Sequence, residues 1–207
     1  MIPSHRTPPS TPLDTEQRII TMGNPVLHDV AKEIPPHEFN SAETQKLVDD
    51  LKRAMAPTHA SGIAAPQIGV NKRLIIFGYG KLKNYPSEPP VPFTVLINPK
   101  YSAPDPEDKV EVWEHCLSVP GMRGKTVRYN RIVYSGYQQD GSLVTREATG
   151  IHSVLVQHEI DHLDGVLFNT KVKESKYFGF IREFECCGVP LSMKRLEPKP
   201  VQQRSKL

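Results

Sequence analysis

The stretch GIHSVLVQHEIDHLDG, Gly150 to Gly165, governs how this chain is read. Ile151, Val154, Leu155, His158 and His162 recur at i, i+3, i+4, i+7 and i+11, which is one face of an α-helix. The apolar side of that face runs directly into the two histidines. Residues four apart on a helix lie one turn above each other, so both imidazoles can grip one metal ion. Glu159 is rotated about 100° from His158, placed to take a proton from a water in an open coordination position. The plainer alternative is a pair of surface histidines on a charged helix turn.

Before Gly150 the pattern is of short strands. Ile19–Met22, Arg73–Gly78, Phe93–Asn98, Val110–Trp113 and Thr126–Tyr137 are compact apolar or alternating runs that predict strands. Asp140-Gly141 predicts a hairpin turn joining Ile132–Tyr137 to Leu143–Ala148. Asn40 followed by Glu43 predicts a capped helix start. Behind it, Leu47, Val48, Leu51, Ala54 and Met55 fall at helical spacing, so the helix covers 41–56 and ends at Pro57. His59–Val70 (HASGIAAPQIGV) is too broken by glycine and proline to predict regular structure, and 79–92, with its prolines, reads as an exposed loop. Lys173–Gly188 reads as a short helix. Strands first and a metal-carrying helix after them predict an α+β domain, with antiparallel sheets packed around a central helix that bears the HExxH motif.

The ends differ from the body. Residues 1–15 are rich in Pro, Ser and Thr and read as a flexible tail; they lack an apolar core of the kind a secretory signal carries, while import into an organelle stays open. Residues 191–207 are polar and basic and read as a second tail, leaving one domain over 16–190. At 207 residues the chain has room for one sizeable core. No apolar run reaches the roughly 20 residues of a membrane span, so a membrane role is not expected. Twenty-six basic against 23 acidic residues leave a formal charge of +3, which argues against a DNA- or RNA-binding protein. Three cysteines, two of them adjacent at Cys186 and Cys187, make no disulfide framework and suit a reducing, cytoplasmic setting.

Two histidines leave a catalytic metal site one protein ligand short. Where zinc proteases with a longer motif carry a third histidine, this chain has Phe168. A downstream glutamate, Glu174, Glu183 or Glu185, would make an HExxH-type metallopeptidase. The other candidate is Cys116, which as a lone mid-chain cysteine also has an ordinary reading as a small core residue.

Three separated segments resemble the motifs of the peptide deformylases: SGIAAPQ (Ser61–Gln67), EHCLS (Glu114–Ser118) and QHEIDHLDG (Gln157–Gly165). GNPVLHDVAKEI (Gly23–Ile34) also resembles that family's N-terminal segment. The resemblance covers about residues 17–175, with two departures: Ala60 and His115 stand where the family motifs have glycine. It implies removal of the N-formyl group from the starting methionine of nascent polypeptides, with formate released. It implies one divalent metal ion held by Cys116, His158 and His162, with iron(II) as the usual native ion and zinc, nickel or cobalt able to substitute.

The same resemblance implies further roles. Glu159 would move the proton, and the formyl oxygen would receive hydrogen bonds from the Gln67 side chain and the Leu117 backbone N–H. Gly62, Ile63, Val112 and Arg123 would contact the peptide. The helix face itself offers Ile151, Val154 and Leu155 as walls for the methionine side chain, or simply as core. Glu114 and Asp161 are candidates for orienting Gln67 or a ligand histidine. Partners would be formyl-Met N-termini and the ribosome near its exit tunnel.

Overall fold

The computed structural model describes residues 19–190 and 192–197. The expected tail over 1–15 lies outside the described residues.

α1 (Ala42–Met55) starts one residue later than the sequence suggested. Ser41, with extended backbone, accepts a hydrogen bond from the Thr44 N–H at 3.1 Å, so the cap is Ser41 and not Asn40. Its Leu47, Val48, Leu51 and Ala54 are buried against Ile63, Leu74 and Ile76.

Among the described residues, nine strands make two antiparallel sheets. The first orders β1 (Gly62–Ala64), β2 (Leu74–Tyr79), β3 (Val91–Ser102), β6 (Arg131–Tyr137) and β7 (Leu143–Thr149). The second orders β8 (Phe178–Phe180), β5 (Val119–Tyr129), β4 (Lys109–Cys116) and β9 (Lys194–Arg195). The β6–β7 hairpin turns at Asp140-Gly141, with Tyr137 paired to Leu143, as the sequence predicts.

α2 (Gly150–Leu163) contacts strands of both sheets. Val156, Ile160 and Leu163 pack with Ile75, Phe77, Leu96 and Tyr134 of the first sheet. Val154 packs on Val110 and Val112 of the second. The helix is therefore apolar on more than the one face that periodicity detects, because it is covered on more than one side. Gln157 ties it to β5: its Nε2 donates to the Tyr129 carbonyl at 2.8 Å, and its Oε1 accepts from the Tyr129 N–H at 3.1 Å.

Several sequence expectations change. Ile19–Met22 is not a strand: Ile20 N–H donates to Gln67 O and Met22 N–H to Ser118 O, so the segment bridges two neighbours instead of laddering on one. His59–Val70 is partly regular, holding β1 and a 3-10 turn over Ala65–Ile68. Thr126–Tyr137 is two strands, because the chain turns at Asn130 without glycine or proline to announce it. Lys173–Gly188 divides into a 3-10 turn, β8 and the short α3 (Ile181–Cys186). Lys194–Arg195, in the stretch read as a tail, pairs with Val110 and Glu111 of β4.

Candidate metal centre and active site

Three residues from two elements converge on one point. β4 delivers Cys116 at its last residue, just before the two-residue turn Leu117-Ser118 that leads into β5. α2 delivers His158 and His162 from consecutive turns. One ligand atom from each of Cys116, His158 and His162 lies within 4.8 Å of the others, and Cys116 Sγ stands 3.2 Å from His162 Nε2. Among the described residues this is the one such group, and Glu174, Glu183 and Glu185 do not join it.

His158 is fixed from behind. Its Nδ1 lies 2.7 Å from Glu114 Oε2, which leaves Nε2 as the free ring nitrogen. Glu114 in turn accepts from Arg128 Nε at 2.8 Å and Arg128 Nη2 at 3.0 Å, and from the Thr126 hydroxyl. Arg128 also donates to Asp161, whose other oxygen meets Lys171 Nζ at 3.0 Å. The Glu114, Arg128 and Asp161 side chains are nearly inaccessible, so each charge needs the others. Burial alone would push the Glu114 carboxyl up; the Arg128 charge and the His158 bond outweigh it and hold it far below the ordinary range. Arg128 is the member sequence reasoning missed. Strand alternation places Thr126 and Arg128 on the same face of β5, but nothing in the sequence distinguishes a buried strand arginine from a solvated one.

Gln67 is held at the end of the 3-10 turn after β1. Its Oε1 accepts from the Ala64 N–H at 2.8 Å, which aims Nε2 at Cys116 Sγ, 3.5 Å away, and Ser118 Oγ, 3.3 Å away. Ser118 N–H also donates to Cys116 Sγ at 3.4 Å. The sulfur therefore accepts from both the Gln67 side-chain amide and the Ser118 backbone.

Glu159 is buried, with one carboxylate oxygen unpartnered among the described residues. Burial, offset in part by His158, pushes its carboxyl up to about 7. Gly62 stands directly against it: a Cβ at position 62 would lie 2.6 Å from Glu159 Oε1. The burial of His162 and the nearby His158 and Arg128 charges push its ring well down, so it stays neutral and able to ligate.

A cavity of about 700 Å³ opens over this group. Gly62, Gln67, Val112, Cys116, Leu117, Ile151, Val154, Leu155, His158 and Glu159 all line it. Two expected contacts do not. The Ile63 side chain turns away into the core beside Leu51 and Ile76, because alternate residues of β1 face opposite sides. Arg123, paired with His115 across the β4–β5 ladder, is buried outside the lining, with Nε and Nη1 lacking partners among the described residues. Of the two departures, Ala60 and His115 both line the cavity, and His115 lies outside the ligand group.

The family model for polypeptide deformylase matches residues 16–177. The chain belongs to the peptide deformylase family. It is 44% identical over 162 residues to peptide deformylase 1 of Bordetella pertussis, covering 78% of this chain and 90% of that protein. It is 39% identical over 188 residues to peptide deformylase 1 of Prochlorococcus marinus, covering 90% and 96%. Among solved structures, a Met-Ala-Ser-bound class I type b peptide deformylase from Acinetobacter baumannii superposes with a TM-score of 0.69 at 30% identity, over 75% of this chain and 97% of that one. The peptide deformylase of Thermotoga maritima gives 0.66 at 30% identity, over 76% and 97%.

Proposed function

We propose that this chain is a working deformylase: it hydrolyses the formyl amide at the N-terminal formyl-methionine of nascent polypeptides and releases formate. The observation that carries the reading is the convergence of Cys116, His158 and His162 on one point, with Glu159 and Gln67 on the same cavity wall.

Cys116, His158 and His162 would hold the metal ion. Their donor atoms are close and largely buried, and Glu114 holds Nδ1 of His158, so the residues present fit a thiolate–imidazole site. A divalent cation held there supplies Lewis-acid activation of water and of the formyl carbonyl. We assign iron(II) as the working ion; zinc, nickel and cobalt suit the same ligands.

Glu159 accepts the proton of the attacking water at its carboxylate and delivers it to the departing amine nitrogen. A carboxyl raised by burial toward neutrality suits both halves of that transfer. Gln67 Nε2 and the Leu117 N–H donate to the oxygen that gains charge as the formyl carbon becomes tetrahedral. The Ala64 bond to Gln67 Oε1 sets the amide beforehand, so no reorganisation is needed at that moment. Val112, Ile151, Val154 and Leu155 enclose the methionine side chain, and Gly62 leaves the room that Glu159 occupies. Arg123 supports the peptide site from the neighbouring strand, directly opposite His115.

Formylated chains emerge from ribosomes, so the exit tunnel and the cytoplasm are where we place the enzyme's work. Among the described residues no helix is long and apolar enough to cross a membrane. The test is an anaerobic assay of formate release from formyl-Met-Ala-Ser, with metal content measured on the same sample. Formate at one metal per chain supports the reading. Cleavage of internal peptide bonds without formate would favour the metallopeptidase alternative instead.

A further inference from the structure

The loop between β2 and β3, residues 80–90, builds part of the wall of the cavity over the metal centre. Lys81, Leu82, Lys83, Asn84 and Tyr85 line it together with Trp113 and His115 of β4. The far end of the loop is pinned. Glu88 N–H donates to the Tyr85 carbonyl at 3.1 Å. The Glu88 carboxylate packs on Gly150 at the start of α2, where a Cβ would stand 2.6 Å from its Oε1.

The exposed formal charges among the lining residues are those of Lys81 and Lys83. Lys81 and Lys83 are exposed, and neither forms an ion pair among the described residues. The carboxylates that line the cavity, Glu114 and Glu159, are both buried, and Glu114 is fully engaged by Arg128, Thr126 and His158. On the neighbouring strand, directly opposite His115, Arg123 adds a third cation whose Nε and Nη1 are unpartnered among the described residues, with Glu185 the carboxylate whose charge acts on it. A peptide held with its formyl group at the metal centre adds roughly 3.3 Å per residue, and the cavity that holds it is lined by both lysines.

We propose that Lys81 and Lys83 are specificity-determining residues that favour substrates with acidic side chains in the positions following formyl-methionine. The proposal rests on the deformylase reading. Exposed charge pairs are individually weak. The two lysines together are therefore expected to raise kcat/KM about 3- to 10-fold, through KM and in a salt-dependent way.

The experiment uses the full-length, metal-loaded protein and three peptides: formyl-Met-Ala-Glu-Glu-amide, formyl-Met-Ala-Gln-Gln-amide and formyl-Met-Ala-Lys-Lys-amide. The expected order of kcat/KM is Glu-Glu, then Gln-Gln, then Lys-Lys, with the spread collapsing at about 0.5 M salt. In Lys81→Glu/Lys83→Glu the order inverts, and in Lys81→Gln/Lys83→Gln the spread shrinks. Equal kcat/KM for all three peptides in the wild-type protein, or an unchanged order in the charge-reversed variant, would overturn the proposal while leaving the deformylase reading intact. No formate from any peptide would overturn the deformylase reading and this proposal with it.

Discussion

Glu114 Oε2 lies 2.7 Å from His158 Nδ1, and the same carboxylate is gripped by both Nε and Nη2 of Arg128. The ring nitrogen that His158 leaves free is thus set by a residue outside the Cys116, His158 and His162 group. The chain of contacts continues through Arg128 to Asp161, three residues along the same helix from His158, so the ligand helix and the ligand strand are locked by one buried charge network.

Replacing Glu114 tests that lock. Glu114→Gln keeps the shape but removes the charge that Arg128 and the imidazole both need. Metal affinity is expected to fall about 10- to 100-fold, read by competition with a chelator, while Cys116 and both histidines remain. Unchanged affinity would mean that Glu114 does not orient His158.

Gly62 tests placement without touching charge. A Cβ there collides with Oε1, Cδ and Cγ of Glu159, at 2.6, 2.9 and 3.0 Å. Gly62→Ala should therefore move the carboxylate, keep the metal and lower kcat by roughly 10²-fold, the usual loss for an ångström of misplacement. Steady-state kinetics at measured metal occupancy decides it; wild-type kcat would show that Glu159 has other room.

The pH dependence of the metal-free protein carries the mark of Glu159. Its carboxyl is raised from 4.5 to about 7 by burial, so the folded state holds a proton that the unfolded state has released. Stability from this group is fully present below pH 4.5 and lost as the pH rises toward 7. Glu159→Gln cannot lose that proton. The variant's stability relative to wild type should grow by about 3 kcal/mol between pH 4 and pH 7.5, by urea denaturation of both apo proteins. A constant difference across that range would remove the buried-carboxyl account.

How far the site was legible follows from what each residue does locally. The helix carrying His158 and His162 announces itself by periodicity, and Cys116 by its motif, because ligand chemistry restricts residue type. β1 is only Gly62–Ala64, too short to show alternation, so its outward Gly62 and inward Ile63 look alike in sequence. Arg128 and Gln157 act through burial and through bonds to residues 14 and 28 positions away, and no local pattern encodes such partners. The 80–90 loop is rich in proline because it has no ladder to join, and its place over the cavity comes from contacts at its far end.

The claim that Glu159 carries the proton while Cys116, His158 and His162 carry the metal is tested most directly by one comparison. In Glu159→Ala, kcat for formyl-Met-Ala-Ser is measured beside metal content on the same preparation. The account predicts one metal per chain, retained as in wild type, with kcat lower by about 10²- to 10⁴-fold. A near wild-type kcat at full metal occupancy would contradict it.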